Sequence, residues 1–238
     1  MPNKASPSPV YPNSPLVEVA CEIRFPGEMS VECKRDIFFS AIRQKYPKIY
    51  VPKSSEGKPM SLEPYRFQNE EDTAGVGLAI NSFSYYEKQY QGHEKFIKEF
   101  MRLAKILEKI VPLNKLNRVG WRYINIIPFV RQDQEIPLDS FFSISVEVPK
   151  GNKSKFENIS LVLATRNTSD TIVTRLQTVQ NTEDDREAFL LDFDYSIQQN
   201  LVFSKLRSNL KTAHQETSGL FENLITEEYR EYLRGEQQ

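Results

Sequence analysis

Two arginines, a tyrosine and an asparagine share one short segment with the chain's only tryptophan, RVGWRYINIIPF at 118–129. An alternation of period two, typical of a β-strand, places Arg118 and Arg122 on one face and Tyr123 and Asn125 on the other. Arginines four residues apart on a strand are about 13 Å apart. They therefore suit a groove that holds several phosphates or carboxylates better than a site that chelates one phosphate.

The same arginines could instead be neutralised inside the sheet. Glu18 and Glu22 on a predicted first strand, or Asp192 and Asp194 on a predicted last strand, are the carboxylates that would pair with them. Arg175, on the strand before the last, is a third cation for the groove. The sequence leaves two interpretations open: salt-dependent binding of nucleic acid or nucleotides, or ion pairs that stabilise the sheet.

Asp192 and Asp194 also form a candidate metal site of their own, in the segment LLDFDY. Alternate residues of a strand share a face and lie about 7 Å apart, and such a pair binds Mg²⁺ or acts in acid–base chemistry when a third acidic group joins it. The sequence offers no third ligand at a fixed spacing. His93 and His214 lack neighbouring ligands, which disfavours zinc chemistry, and no cofactor is predicted.

Tyrosines in the segment SYYEKQY are the last polar candidates. Tyr85, Tyr86 and Tyr90 lie near Lys88 and could stack on bases, as in proteins that bind single-stranded nucleic acid. No segment typical of an RNA-recognition sheet accompanies them, and tyrosines at a sheet edge also form ordinary protein interfaces. A protein interface is therefore the preferred interpretation.

Composition excludes several classes of function. Thirty-one Lys plus Arg against 32 Asp plus Glu give a formal net charge of -1, so no long-range positive field attracts nucleic acid or an acidic membrane. No apolar run approaches the roughly 20 residues of a membrane span, and the N-terminus lacks the apolar core of a signal peptide. No Walker loop, dinucleotide fingerprint or nucleophile elbow is present. We expect a cytoplasmic protein without membrane contact.

The elements that position these residues follow from the hydrophobic pattern. Residues 1–15 contain five prolines, a composition that favours a flexible arm. If a weak strand near 49–51 is set aside, residues 16–131 show the order βαββαβ of a ferredoxin-like half, in which two helices cover one face of an antiparallel sheet. Within it, 75–86 is predicted as one strand and 93–111 as the strongest helix.

Residues 132–238 have a different character. Four strands are predicted after a polar, hinge-like passage, at 142–148, 158–166, 171–181 and 188–197. Turns rich in Gly, Asn, Asp and Ser join them, as in an antiparallel meander. A helix is predicted from about residue 200, and Thr226 is expected to cap a last short helix. The predicted fold class is α+β, a ferredoxin-like half followed by an antiparallel sheet with a C-terminal helix.

Four segments carry a resemblance to a known family: PLVEVACEIRF, GWRYIN, LLDFDY and LFENLITEEY. Over almost its whole length the chain resembles a sporadically distributed family of bacterial proteins with no assigned activity. Sporadic distribution is often a sign of mobile defence islands. The resemblance therefore implies a component of an antiphage defence system that works beside an ATPase or nuclease, and it implies no catalytic residues.

We therefore expect a non-enzymatic binding or adaptor subunit that recognises a protein partner. The candidate contact residues are Arg118, Arg122, Tyr123, Asn125, Arg175, Tyr85 and Tyr86. Nucleic-acid or nucleotide binding through an arginine-lined sheet face is the alternative. Metal-dependent hydrolysis at Asp192 and Asp194 is the second alternative.

Overall fold

The computed structural model describes residues 11–52, 63–146, 155–180, 186–199 and 201–236. The strands in these ranges are β1 (Leu16–Arg24), β2 (Lys48–Tyr50), β3 (Tyr65–Gln68), β4 (Ala74–Ala79), β5 (Ser82–Glu87), β6 (Arg118–Pro128), β7 (Ser160–Arg166), β8 (Asp170–Gln180) and β9 (Glu187–Ile197). The helices are α1 (Ser30–Ile42), α2 (His93–Glu108), α3 (Leu138–Phe141), α4 (Leu206–Leu224) and α5 (Glu227–Arg234). None of these helices is both long and apolar enough to cross a membrane.

The nine strands form one antiparallel sheet in the order β2-β3-β4-β5-β1-β6-β9-β8-β7. Strand β6 lies near its middle, paired with β1 on one side and with β9 on the other. The pairing with β9 runs from Val119 opposite Ile197 to Pro128 opposite Ala188. The predicted α+β class is therefore confirmed, and the sheet is larger than either predicted half because it continues from one into the other.

Alternation along the strands gives the sheet two different faces, as the sequence pattern of 118–129 predicts. Trp121 and Tyr123 of β6 are buried on what we call the helix face. Phe96 of α2 packs against Trp121 with ring centroids 5.1 Å apart, and His214 of α4 lies over the same tryptophan. Ring contacts between helices and strands in the described ranges all use this face. The alternate residues form the opposite face, which we call the open face.

Two strand predictions are wrong. Residues 75–86 form two strands, β4 and β5, because the chain reverses at Ile80 and Asn81 and pairs Ala79 with Ser82. This turn contains no glycine, so the usual Asn-Gly or Asp-Gly signal of a two-residue hairpin is absent. Residues 142–146 are not a strand either, since Phe142 follows α3 and makes only an isolated bridge to Ile225. Residues 147 and 148 of that prediction lie outside the described residues.

The N-terminal segment is attached to the C-terminal helices from Tyr11 onward. The Tyr11 side chain is buried, and its hydroxyl donates to the carboxylate of Glu222 at 2.8 and 2.9 Å. The N–H of Asn13 donates to the carbonyl of Leu233 at 3.2 Å. This part of the predicted arm therefore packs on the folded body, and residues 1–10 of the prediction lie outside the described residues.

The predicted cap of the last helix is confirmed and can be tested. The Thr226 hydroxyl accepts the N–H of Tyr229 at 3.2 Å and donates to the carbonyl of Ser140 at 2.8 Å. We predict that Thr226→Ala lowers the free energy of unfolding by about 1–2 kcal/mol, because both hydrogen bonds are lost. Urea denaturation measures this change. Thr226→Ser keeps the hydroxyl and serves as the control, so equal losses in both variants would contradict the role of the hydroxyl.

Candidate functional site

A network of ion pairs covers the open face where β1, β6, β9 and β8 lie side by side. Arg122 of β6 donates through Nε and Nη2 to the two carboxylate oxygens of Asp192, at 2.8 and 2.9 Å. Arg175 of β8 donates to the same carboxylate at 3.0 Å. The Asp192 side chain is only 3% exposed, and its hydrogen bonds to Arg122 raise the pKa of that guanidinium. Two cations therefore share one buried carboxylate.

Arg118 forms the second part of the network. Its Nη1 donates to Glu22 of β1 at 3.0 Å and its Nη2 to Asp194 of β9 at 2.9 Å. The guanidinium lies back across Gly120, where an added Cβ would be 2.5 Å from Nη1. The glycine of GWRYIN is therefore needed because it gives Arg118 room to reach both neighbouring strands.

The network leaves this part of the open face without a net charge. The four central strands place four basic and four acidic side chains there, namely Arg24, Arg118, Arg122, Arg175, Glu18, Glu22, Asp192 and Asp194. A polyanion would have to displace carboxylates from Arg118, Arg122 and Arg175. A metal ion at Asp192 would compete with two guanidinium groups, and the described ranges contain no group of three or more His, Cys, Asp or Glu that could hold one.

The two tyrosines predicted as contact residues, Tyr85 and Tyr86, lie on opposite faces of β5. Tyr85 is fully buried on the helix face and donates a hydrogen bond to Glu87. Tyr86 lies on the open face with its ring over Gly75, and its hydroxyl accepts from Gln68. Only Tyr86 of this pair is therefore placed to contact a partner on the folded surface.

A cavity of about 390 Å³ lies on the helix face. Tyr123 and Asn125 of β6 line it, so the sequence-predicted residues of β6 are divided between two separate places. The remaining wall comes from the segment at 11–16, the connection at 88–93, β9 and α4. This volume falls within the range of pockets that bind small molecules.

A chain of hydrogen bonds forms part of the cavity wall. The hydroxyls of Tyr90 and Tyr123 are 3.0 Å apart, and the Tyr123 hydroxyl is 2.8 Å from Nδ1 of His214. The His214 ring stacks on His93 with centroids 4.0 Å apart. Burial raises the pKa of Tyr123 well above its ordinary value. Burial, with a smaller contribution from His93, lowers the pKa of His214 to about 4. Both groups are neutral at pH 7, which suits hydrogen bonding better than proton transfer.

Sequence reasoning missed this cavity because its residues come from distant parts of the chain. His93 and His214 each lack ligand-like neighbours in sequence, and only the packing of α4 beside the start of α2 brings their rings together. The signal in the sequence that could have indicated the cavity is that Tyr123 and Asn125 share one face of a strand. No pattern in the sequence indicates which residue of α4 packs against that strand face.

No protein-family model and no curated protein matches this chain. The family resemblance therefore stays a prediction, and the open face and the cavity are the two candidate sites.

The shared carboxylate of Asp192 predicts non-additive effects on stability. In Arg122→Met or Arg175→Met, one guanidinium still pairs with Asp192, whereas the double variant buries a carboxylate without a cation. We predict a loss of about 1 kcal/mol in each single variant and about 3–5 kcal/mol in the double variant. Denaturant titration measures these losses. Asp192→Asn in the double variant should restore part of the stability, and simple additivity would show that the arginines act independently.

The buried imidazole predicts a specific pH dependence of stability. The pKa of His214 falls from 6.5 to about 4 on folding, so below pH 6.5 the unfolded chain binds a proton that the folded protein does not. The part of the free energy of unfolding that depends on this proton is about 3 kcal/mol. It is fully present above pH 6.5 and is lost as the pH falls towards 4. We expect His214→Gln to remove this part of the pH dependence relative to wild type.

Proton NMR gives the same pKa directly. The chain contains two histidines, so the two imidazole C2 protons can be assigned with a His93→Gln variant. A His214 resonance that titrates near pH 6.5 would contradict the effect of burial.

Proposed function

We propose that this protein is a non-enzymatic binding subunit of a bacterial antiphage defence system, and that its protein partner docks on strand β7 and the adjoining open face. The partner is an ATPase or nuclease of the same system, and the complex acts in the cytoplasm. The resemblance of PLVEVACEIRF, GWRYIN, LLDFDY and LFENLITEEY to a sporadic bacterial family supports the defence role. The geometry of the sheet supports the binding role.

The exposed edge strand β7 is the observation that carries the proposal. β7 is the last strand of the sheet, and among the described strands it pairs with β8 alone. Val162 and Leu163 are neighbours that point to opposite faces, and they are 59% and 51% exposed. A strand with apolar residues exposed on both faces and one unpaired edge can accept a strand from another chain.

The ladder between β7 and β8 indicates which backbone groups such a strand would use. The N–H of Thr178 donates to the carbonyl of Ile159 at 2.9 Å, and the N–H of Asn167 donates to that of Asp170 at 3.0 Å. Bonded and non-bonded pairs alternate in an antiparallel ladder, so the odd-numbered residues of β7 bond to β8. The N–H groups of even-numbered residues, such as Ala164, therefore point outward.

The open face of the same sheet, from β5 to β9, favours a protein over a nucleic acid. Tyr86 and Arg122 are residue types enriched in protein interfaces, and Ile124 and Leu190 are partly exposed aliphatic residues among the charges. Binding of nucleic acid or a nucleotide requires arginines that are free to contact phosphates. Here the central arginines are paired with carboxylates of their own sheet.

We also propose that a ferredoxin-like unit forms the first half of the sheet. Its support is the strand order β4-β5-β1-β6 with every pair antiparallel, α1 following β1 and α2 joining β5 to β6. The hairpin of β2 and β3 is then an insertion after α1. In this arrangement β9, β8 and β7 extend the unit beyond β6 and present β7 as the outer edge.

Size-exclusion chromatography of the purified protein with the products of neighbouring genes tests the adaptor role. We expect a stable complex with the wild type and none with Ala164→Pro, which removes an outward N–H and leaves the ladder to β8 intact. Val162→Lys should weaken the complex by about tenfold or more, because a charge on an edge strand opposes pairing. Val130→Lys is the matched control, since Val130 is 84% exposed just beyond the end of β6.

The outcomes separate the hypotheses. If all three variants form the complex equally well, the partner does not dock on β7. The absence of any complex with the wild type would overturn the adaptor role. Nucleic acid that co-purifies with the wild type and is lost in Arg122→Ala would favour the alternative function.

A further inference from the structure

The cavity on the helix face lies on the opposite side of the sheet from the open face, and the proposed partner does not use it. Phe193 of β9 and Phe221 of α4 line it, with ring centroids 6.5 Å apart at an angle of 85°. The ring of Tyr123 adds a third aromatic surface. Such rings suit a planar ligand that stacks on one of them and meets the edge of another.

Asn125 contributes a fixed polar group to this wall. The residue is only 4% exposed, and its Nδ2 donates to the carbonyl of Leu191 at 3.1 Å. That hydrogen bond fixes the orientation of the amide. The Oδ1 atom has no hydrogen-bond partner among the described residues, and Asn125 lines the cavity. An acceptor at the cavity wall can take a hydrogen bond from a donor on whatever fills the cavity.

The chain formed by Tyr90, Tyr123 and His214 supplies a further donor and a further acceptor. If Tyr123 donates to Nδ1 of His214, the imidazole carries its proton on Nε2, and the Tyr90 hydroxyl donates inward and leaves its oxygen to accept. If Nδ1 donates instead, Nε2 becomes an acceptor and the Tyr90 hydroxyl is free to donate. In both arrangements, the two ends of the chain offer one donor and one acceptor.

The charges around the cavity favour a neutral ligand. Lys88 and Glu222 are the lining side chains with opposite formal charges, and Glu222 is already bonded to Tyr11 and Arg230. His214 is uncharged at neutral pH because it is buried. A cationic group would find its one lining carboxylate, Glu222, already bonded, an anionic group would find only Lys88, and either would lose hydration among the aromatic rings.

We propose that this cavity binds an uncharged, planar heterocycle of the nucleobase type, held by aromatic stacking and by hydrogen bonds to Asn125, Tyr90 and His214. A nucleobase presents donors and acceptors together on one edge of a flat ring, which matches this set of groups. The ring stacks on the side chain of Phe193 or Phe221 and meets the edge of the other. This site is independent of the partner surface at β7.

Isothermal titration calorimetry with adenosine, guanosine, cytidine, uridine and inosine tests the proposal. We expect at least one nucleoside to bind wild-type protein with a Kd below about 1 mM. Tyr90→Phe removes one hydroxyl and should weaken binding by about tenfold. Asn125→Leu should weaken it by more than tenfold. Tyr86→Phe, which removes a tyrosine hydroxyl on the open face, is the matched control and should bind as the wild type does.

Other outcomes overturn the proposal. If no nucleoside binds the wild type with a Kd below about 1 mM, the proposal that the ligand is of the nucleobase type is wrong. If Tyr90→Phe and Asn125→Leu bind the nucleoside with unchanged affinity, and thermal unfolding shows that both variants are folded, the nucleoside binds at a different site. A nucleoside monophosphate that binds more tightly than its nucleoside would contradict the uncharged class. Nucleoside binding retained in Ala164→Pro distinguishes failure of this site from failure of the partner surface.

Discussion

The pairing of β6 on both sides is the constraint on which the rest of the structure depends. A strand held by β1 and β9 cannot turn any residue away from the two faces of the sheet. Trp121 and Tyr123 on one face must then be covered by helices, and Arg118 and Arg122 on the other must find carboxylates within reach. The core and the ion-pair network are two consequences of the same alternation.

The sequence predicts this alternation well because it is local. Period two over 118–129, the long amphipathic helix α2 and the cap at Thr226 all depend on residues close together in the chain, and all three are confirmed. The reversal at Ile80 and Asn81 was missed because nothing in those residue types requires a turn. Local signals identify elements better than the reversals between them.

Long-range pairing is what the sequence left open. Glu18, Glu22, Asp192 and Asp194 were all possible partners of the arginines, and the observed choice depends on register. Arg122 lies directly opposite Asp194, yet its guanidinium reaches diagonally to Asp192. A slip of one residue would move every one of these side chains to the other face. Periodicity therefore identifies the face of each residue, and only the assembled sheet identifies its partner.

Strands β6 and β1 each carry residues of both the cavity and the open face. Arg122 and Tyr123 are neighbours on β6, but ladders on both sides hold that strand, and a coupling between sites needs an element with two arrangements. The start of β1 departs from the regular ladder, because its register against β6 shifts between Leu16 and Glu18. Leu16 lines the cavity and Glu18 lies on the open face. The irregular register is therefore what places Leu16 and Glu18, two residues apart, on opposite faces of the sheet.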